Sequence, residues 1–572
     1  VTLSRLGRLL PCVPPLVLLL LIAAHAVNVP RWDDWDLLPF VLAVHDGRVG
    51  LADLWMQHNE HRLTAVKLLL APLVLATDFD VRAMMYAGYA LQLLAFVFLW
   101  RTLLTTLPAG ERTLAHALAF VMSLMMFSPA QDQNWLWGLT SMQWHLCNLT
   151  GAAAVWLLSR RPRPRLALPA CFLLTCAGMT AVASGIVLWG VVLVVIATEA
   201  IVARRWPSAW VLAGWGAGAL ALASYFVGLR AIPIVPDPSY FPTHLRTFAG
   251  FIRVYLGWPI VQGASPPLAA AVGSAGLLGL LVASYAALFR GFMPDRILPW
   301  LWLSSYALMV AVATAVGRSQ LGILVATTNR YSTGALFFWI GLLVISAVTL
   351  RRLLDSWRGA RARALVAAAA AAMIVAGVAY AHLYREGLRR FEQSRNDRRI
   401  GLAEVWRYDL APDEAIMLLY PPSLSHAREY ARIMEARGLG PFSRHMVGAR
   451  RQLADAIATA SHVTAGEGGL EAAECTTITG WAWDRQQPDV PVKVDIYDGA
   501  ERLATVPAYW YRRDLAEAGM GGGYHLYFYA PPARLKDGRE HLIRARIPGT
   551  DRDLLGAPQR LVCSDLQAML WR

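Results

Sequence analysis

Three carboxylates stand within four residues in the run Trp32-Asp33-Asp34-Trp35-Asp36. Crowded like charges repel, so at least one of Asp33, Asp34 and Asp36 is expected to find a cation or to hold its proton more tightly than usual. Removing a proton from a hydroxyl near neutral pH requires a carboxylate tuned in that way. A solvated acidic turn, anchored at a membrane interface by Trp32 and Trp35, accounts for the same residues without catalysis. A second polar run, Gln57-His58-Asn59-Glu60-His61-Arg62, adds a further carboxylate, and Lys67 follows it. His58 and His61 are spaced as neighbours on a helix face, but no fuller ligand pattern accompanies them, so zinc is not expected. A divalent cation such as Mg or Mn, held by Asp33 and Asp34, suits oxygen donors better. Arg318 and Arg330 stand at the two ends of the stretch 317–330, where their forked guanidinium groups could clamp a phosphate. Contact with lipid headgroups is the plainer use of that pair.

The elements that must position these groups are apolar. Of the 572 residues 56% are apolar and 16% charged. A soluble chain of this length needs more charge to cover its surface, and several runs approach or exceed the roughly 18 apolar residues that cross a bilayer. An ordinary cytosolic enzyme, a disordered chain and a small disulfide scaffold are excluded. The net charge of +14 would suggest a nucleic-acid partner in a soluble protein. In a membrane protein it follows from arginines gathered in cytoplasmic loops, and no nucleic acid is expected.

Eleven spans are read: 9–29, 83–107, 113–128, 143–159, 166–181, 183–203, 208–229, 267–289, 297–316, 331–350 and 364–382. Arg5 and Arg8 before the first run and the acidic cluster after it place the N-terminus in the cytoplasm. That run is read as a retained anchor, because it is too long and proline-rich for a cleaved signal peptide. With eleven spans the basic connectors 159–165, 204–205, 290–296 and 351–363 all face the cytoplasm, and the C-terminal region lies outside. The segment 63–77 contains Lys67 and Pro72 and is read as re-entrant or interfacial, since a lysine at the bilayer centre costs on the order of 2.5–3.5 kcal/mol.

The outer loops are then 30–82, 129–142, 230–266 and 317–330, and chemistry is expected there. Surface helices are read at 41–57 and around 241–255, each with an apolar stripe suited to the interface. The catalytic candidates are Asp33, Asp34 and Glu60. Arg62, Lys67, Arg318 and Arg330 are the candidates for binding a phosphate.

Beyond residue 382 the sequence turns charged. Stretches 386–407 and 425–461 read as polar helices of a connector over 383–470, outside the membrane. From Cys475 the pattern alternates, with Val492, Val494 and Ile496 against Lys493, Asp495 and Tyr497, and Asp498-Gly499 marks a hairpin turn into 502–508. Further strands are read at 524–529, 540–547 and 559–563. The expectation is a small antiparallel β-sandwich over 471–572, with Cys475 and Cys563 in its first and last strands. A disulfide between them would restrict the unfolded chain by roughly 4–5 kcal/mol in an oxidising compartment; two free thiols are the alternative. Cys12, Cys147, Cys171 and Cys176 fall in spans as small apolar residues.

The WDDWD run just after the first span, the QHNEHR run closing that loop, the surface helices between and the late Asn329-Arg330-Tyr331 together resemble the GT-C class of membrane glycosyltransferases. The resemblance covers 1–382. It implies a sugar donor carried on a polyprenyl phosphate and an acidic first-loop residue acting as base or metal ligand. Asp33 and Asp34 match the acidic pair and Glu60 the second motif, beside which Asp36, His58, His61 and Tyr331 are acceptor-side candidates. Where better-known members carry a Pro-Pro pair, this chain has Glu60-His61-Arg62. The acceptor implied is a cell-envelope glycan, lipid or protein, and the location a bacterial inner membrane with the C-terminal domain in the periplasm. Gly480-Trp481-Ala482-Trp483-Asp484, Asp495 to Gly499 and Tyr511 to Leu515 resemble a β-sandwich module appended to bacterial glycosyltransferases, which implies glycan binding by aromatic faces. Trp481 and Trp483 filling a core explains them equally. A flippase of lipid-linked glycans and a non-catalytic glycan-binding scaffold remain open. The flippase predicts charged pairs inside the spans and repeated halves, whereas the interiors hold little charge beyond Arg101 and Glu199 near their ends.

Overall fold

The computed structural model describes residues 7–160, 166–230, 240–291, 293–356, 359–409, 419–420, 424–451, 466–475, 477–488, 490–521 and 523–563. The chain divides into two compact units. The first comprises Val1–Ala26, Pro39–Thr77 and Val81–Arg395; the second comprises Val27–Leu38, Asp78–Asp80 and Asn396–Arg572. Both ends of the first loop therefore belong to the second unit, and its middle to the first.

Among the described residues eight helices are long and apolar enough to cross a membrane: Gly7–His25, Val81–Thr106, Ala109–Leu136, Ala183–Ala203, Pro266–Phe289, Pro294–Leu321, Asn329–Leu354 and Ala360–Val405. Two of the other expected spans are shorter helices, Ala167–Met179 and Ala209–Ala223. At 1.5 Å per residue, 13 residues reach about 20 Å, short of the ~30 Å hydrocarbon layer. The third is Gly138–Ser159, 22 residues long and buried along most of its length. Its Asn148 is satisfied inside the bundle, with Nδ2 donating to Thr333 Oγ1 at 2.8 Å and to Gln92 Oε1 at 3.2 Å. Burial between helices, not between lipids, is what allows this helix to be polar. Helix Leu245–Gly257 crosses Pro266–Phe289 at backbone contact, since a Cβ on Gly257 would lie 1.8 Å from the Ala269 carbonyl oxygen.

Three expectations about helices change. The surface helix over 41–57 is two helices, Leu38–His45 and Leu51–Trp55, because Gly47 takes φ +67 and closes the first. The charged stretch after 382 does not start a new element. Helix Ala360–Val405 runs through it for 46 residues, helped by the pairs Glu386–Arg389 and Glu404–Arg407 on its surface. The helix expected over 425–461 stops at Arg437, where Gly438 at φ +63 lets the Leu439 amide return to the Met434 carbonyl; residues 452–461 lie outside the described residues.

In the second unit ten residues, 466–475, open a β region. Strand numbering here counts the short pair β1 (Gln57–His58) and β2 (His61–Arg62) of the first unit. The strands are β3 (Glu467–Ala473), β4 (Ile478–Trp483), β5 (Val492–Asp498), β6 (Glu501–Ala508), β7 (Trp510–Tyr511), β8 (Tyr524–Tyr529), β9 (Glu540–Arg546) and β10 (Gln559–Val562). They form two antiparallel four-stranded sheets, β10-β9-β5-β6 and β3-β4-β8-β7. Alternate residues of both sheets, among them Ile478, Val494, Ile496, Tyr527, Ile543 and Leu561, share one apolar core. The β5–β6 hairpin turns at Gly499, φ +57, as the Asp-Gly signal indicates. Cys475 and Cys563 are joined in a disulfide, their Cα atoms 5.5 Å apart. Each stands just beyond a strand end, not within it.

Candidate anion-binding site

Between helices Pro294–Leu321 and Asn329–Leu354 the chain reverses at Gly322, whose φ of 98° and ψ of 162° are open only to glycine. The reversal returns Arg330 towards Arg318, and the charges of both guanidinium groups act on the Tyr331 hydroxyl. The Tyr331 ring is 5% exposed. It stacks on Tyr255 with centroids 5.6 Å apart and meets the edge of Trp144 at 5.7 Å. Arg330 lies over the rings of Tyr331 and Trp137, at 5.3 and 5.8 Å, where the π faces favour its charge.

The β1–β2 hairpin brings Glu60 to this cluster. Asn59, at φ +48, makes its tight turn, and His58 pairs with His61 across it, so the two histidines belong to strands and not to a helix face. The Glu60 carboxylate accepts from the Arg318 guanidinium; the two side chains are 18% and 17% exposed. His61 Nε2 lies 3.5 Å from Glu60 Oε1, while its Nδ1 accepts from the Ala183 backbone amide at 3.1 Å. With Nδ1 accepting, the neutral ring carries its proton on Nε2, the nitrogen that faces Glu60.

A second group of contacts, which the sequence did not single out, holds the segment in place. Asp132 accepts from Asn329 Nδ2 at 2.9 Å and from Arg390 Nε at 3.1 Å. Gln133 Oε1 accepts from the Arg330 amide, and Asn134 Nδ2 donates to the Arg330 carbonyl at 3.0 Å. Arg390 also donates to Gln262 Oε1 at 2.8 Å, and Gln262 donates to Ser332 Oγ at 2.9 Å. The available signal was the polar triplet Asp132-Gln133-Asn134 in the stretch 129–142 between apolar runs.

Arg62 and Lys67 are placed elsewhere in the same unit. Arg62 donates to the carbonyls of Tyr225, Trp55 and Val227 at 2.6–2.8 Å. Lys67 Nζ donates to the carbonyls of Asp53 and Met56 and faces the Phe40 ring. Main-chain oxygens occupy both cations and tie them to the fold of the loop.

Asp33, Asp34 and Asp36 lie in the second unit, in the 3₁₀ turn Trp32–Leu37. Asp34 is 1% exposed and accepts from the Arg31 amide at 3.1 Å, closing its own turn. Asp36 Oδ1 accepts from the Tyr420 hydroxyl at 2.6 Å; burial, and then this carboxylate, hold that phenol above its ordinary value. Asp33 is half-buried. The mutual repulsion expected of the three is thus relieved by a backbone amide and a phenol. Of the pair proposed to hold Mg or Mn, Asp33 fits a hard cation and Asp34, closed onto the Arg31 amide, fits poorly. In the first unit Glu60 is engaged by Arg318 and Asp132 by Arg390.

Eight long apolar helices and paired antiparallel sheets define a multi-pass helical membrane protein with a C-terminal β-sheet region. Compared with known protein families, with curated proteins and with solved structures, the chain matches none.

Proposed function

We propose that the chain is a membrane glycosyltransferase that moves a sugar from a polyprenyl-phosphate donor to an envelope glycan, lipid or protein. The observation that carries this reading is the convergence of Arg318 and Arg330 on Tyr331 at the ends of two apolar helices. A lipid phosphate needs an apolar surface for its tail and fixed donors for its head, and this cluster offers both. In the transfer, an acceptor oxygen bonds to the anomeric carbon as the bond from that carbon to the phosphate oxygen breaks. Arg318 and Arg330 take up the charge that develops on the departing phosphate. The acceptor's proton goes to a carboxylate, which the resemblance assigns to the acidic run, where Asp34 is closed onto its own turn.

In this proposal the membrane is the bacterial inner membrane, crossed eleven times. The three shorter or more polar helices complete the crossings, the N-terminus is cytoplasmic, and the β region faces the periplasm. Half-buried Trp481 is assigned to stack on the acceptor glycan. The test is transfer from a labelled polyprenyl-phosphate sugar by the full chain in vesicles. Arg318→Gln and Arg330→Gln should each lose transfer while keeping the native melting temperature, and Asp33→Asn should lose transfer where Asp34→Asn loses stability. Full transfer by both arginine variants would sink the proposal.

A further inference from the structure

Glu60 sits where an anionic ligand of Arg318 would sit. Its carboxylate takes the guanidinium of a residue 258 positions away, and its own position is set by groups that have no other task in the cluster. The hairpin is clamped at its base, where Gln57 Nε2 donates to the Arg230 carbonyl at 2.9 Å and Gln57 Oε1 accepts from the Arg230 amide at 2.7 Å. Arg62, the other end of the ladder, holds three carbonyls. Beyond that base only one residue on each side, His58 and His61, pairs before the turn. At the tip, the Ala183 amide fixes the His61 tautomer and turns an N–H towards Glu60. A short hairpin with a rigid base therefore presents one carboxylate to one guanidinium.

We infer that Glu60 is a built-in stand-in for the donor phosphate, occupying Arg318 in the resting protein and yielding it when a phosphate binds. This rests on the proposed phosphate site and adds its regulation. Glu60 uses one of the two guanidinium groups around Tyr331. A phosphate, with more acceptor oxygens and a forked match to arginine, uses both together with the phenol. The exchange swaps one anion for another at Arg318, so the half-buried cation is never left uncompensated. His61 is the positioning residue: its Nε2–H receives the Glu60 carboxylate when Arg318 lets it go.

The experiment measures binding of a polyprenyl monophosphate, and separately of inorganic phosphate, to the full chain in lipid nanodiscs. Glu60→Gln is expected to bind the polyprenyl phosphate about tenfold tighter than the native chain, and Glu60→Asp, which retracts the carboxylate by one methylene, to fall between. Inorganic phosphate in excess is expected to compete, and to do so better in Glu60→Gln. If Glu60→Gln binds as the native chain does or more weakly, while Arg318→Gln and Arg330→Gln lose binding, the stand-in role is overturned and the phosphate site survives. If the arginine variants bind like the native chain, the phosphate site itself is overturned, and the role of Glu60 with it. Failure of inorganic phosphate to compete also overturns the inference, because the lipid would then be held by its tail alone.

Discussion

In the loop that follows the first span, Arg62 and Lys67 are 4% and 2% exposed and donate to main-chain carbonyls. At the neighbouring ends of helices Pro294–Leu321 and Asn329–Leu354, Arg318 and Arg330 face a carboxylate, a phenol and aromatic rings. All four are basic residues in ordered elements: Arg62 in β2, Lys67 in helix Thr64–Thr77, Arg318 at the end of its helix and Arg330 in the turn that opens the next. What separates them is the partner. A main-chain carbonyl is a permanent acceptor, required by the fold, and a cation bound to several of them is committed to the backbone. A carboxylate side chain or a ring face is a partner that can move away. Cations of the first kind hold a loop, and cations of the second kind can hold a substrate.

This contrast can be broken by substitution, and the largest effect is expected at the second pair. Arg318→Gln and Arg330→Gln should each lower sugar transfer by roughly 10²–10³-fold, the usual loss when one donor to a developing anion is removed, with thermal unfolding unchanged. A fall in melting temperature instead would place them with Arg62. The reverse is expected at Arg62→Gln, which leaves buried carbonyls unpaired and should cost about 3 kcal/mol of stability, read as early thermal unfolding in detergent. Gly322→Ala sharpens the comparison from the backbone side. It adds about 1–3 kcal/mol of strain at the reversal, and phosphate binding should weaken more than global stability does, because the reversal is what brings the two arginines together.

The smallest effect is a control in the β region. Burial lowers the affinity of His541 for its proton, but hydrogen bonds from the ring to Asp498 and Asp537 outweigh it and leave the value raised. A raised folded value means that the protonated ring stabilises the sheet fully below the ordinary histidine range, near 6.5. That contribution fades as pH rises through the folded value. Melting temperatures of the native chain and His541→Gln should therefore differ at acidic pH and converge at alkaline pH, with transfer unaffected by the substitution beyond that.

Much of the architecture was legible because it depends on local pattern. Runs such as 267–289 and 331–350 announce spans by length alone, and the alternation from Val492 to Tyr497 with Asp498-Gly499 announces the β5–β6 hairpin. Gly47 and Gly438 carried the helix breaks, but a glycine stops a helix only where the chain takes a positive φ, and composition does not show that. The span read at 143–159 begins five residues inside Gly138–Ser159, and Asn148 within it could not be paired from sequence, because its partners Gln92 and Thr333 come from other helices. The site was legible in its charged residues and not in their pairing. Arg318 and Arg330 stood out as loop ends, but nothing local links Glu60 to Arg318, or Asp132 to Arg390 at the same distance of 258 positions. Asp34 was misleading for the opposite reason: its partner is its own turn, three residues back.

The most direct test of the distinction between the two arginine pairs is photolabelling of the full chain in vesicles with a polyprenyl phosphate carrying a diazirine beside the phosphate. Label on peptides within 318–331, lost in Arg318→Gln and competed by unmodified polyprenyl phosphate, is the expected result. Label confined to 57–67, or unaffected by the loss of Arg318, would contradict the assignment of phosphate recognition to Arg318 and Arg330.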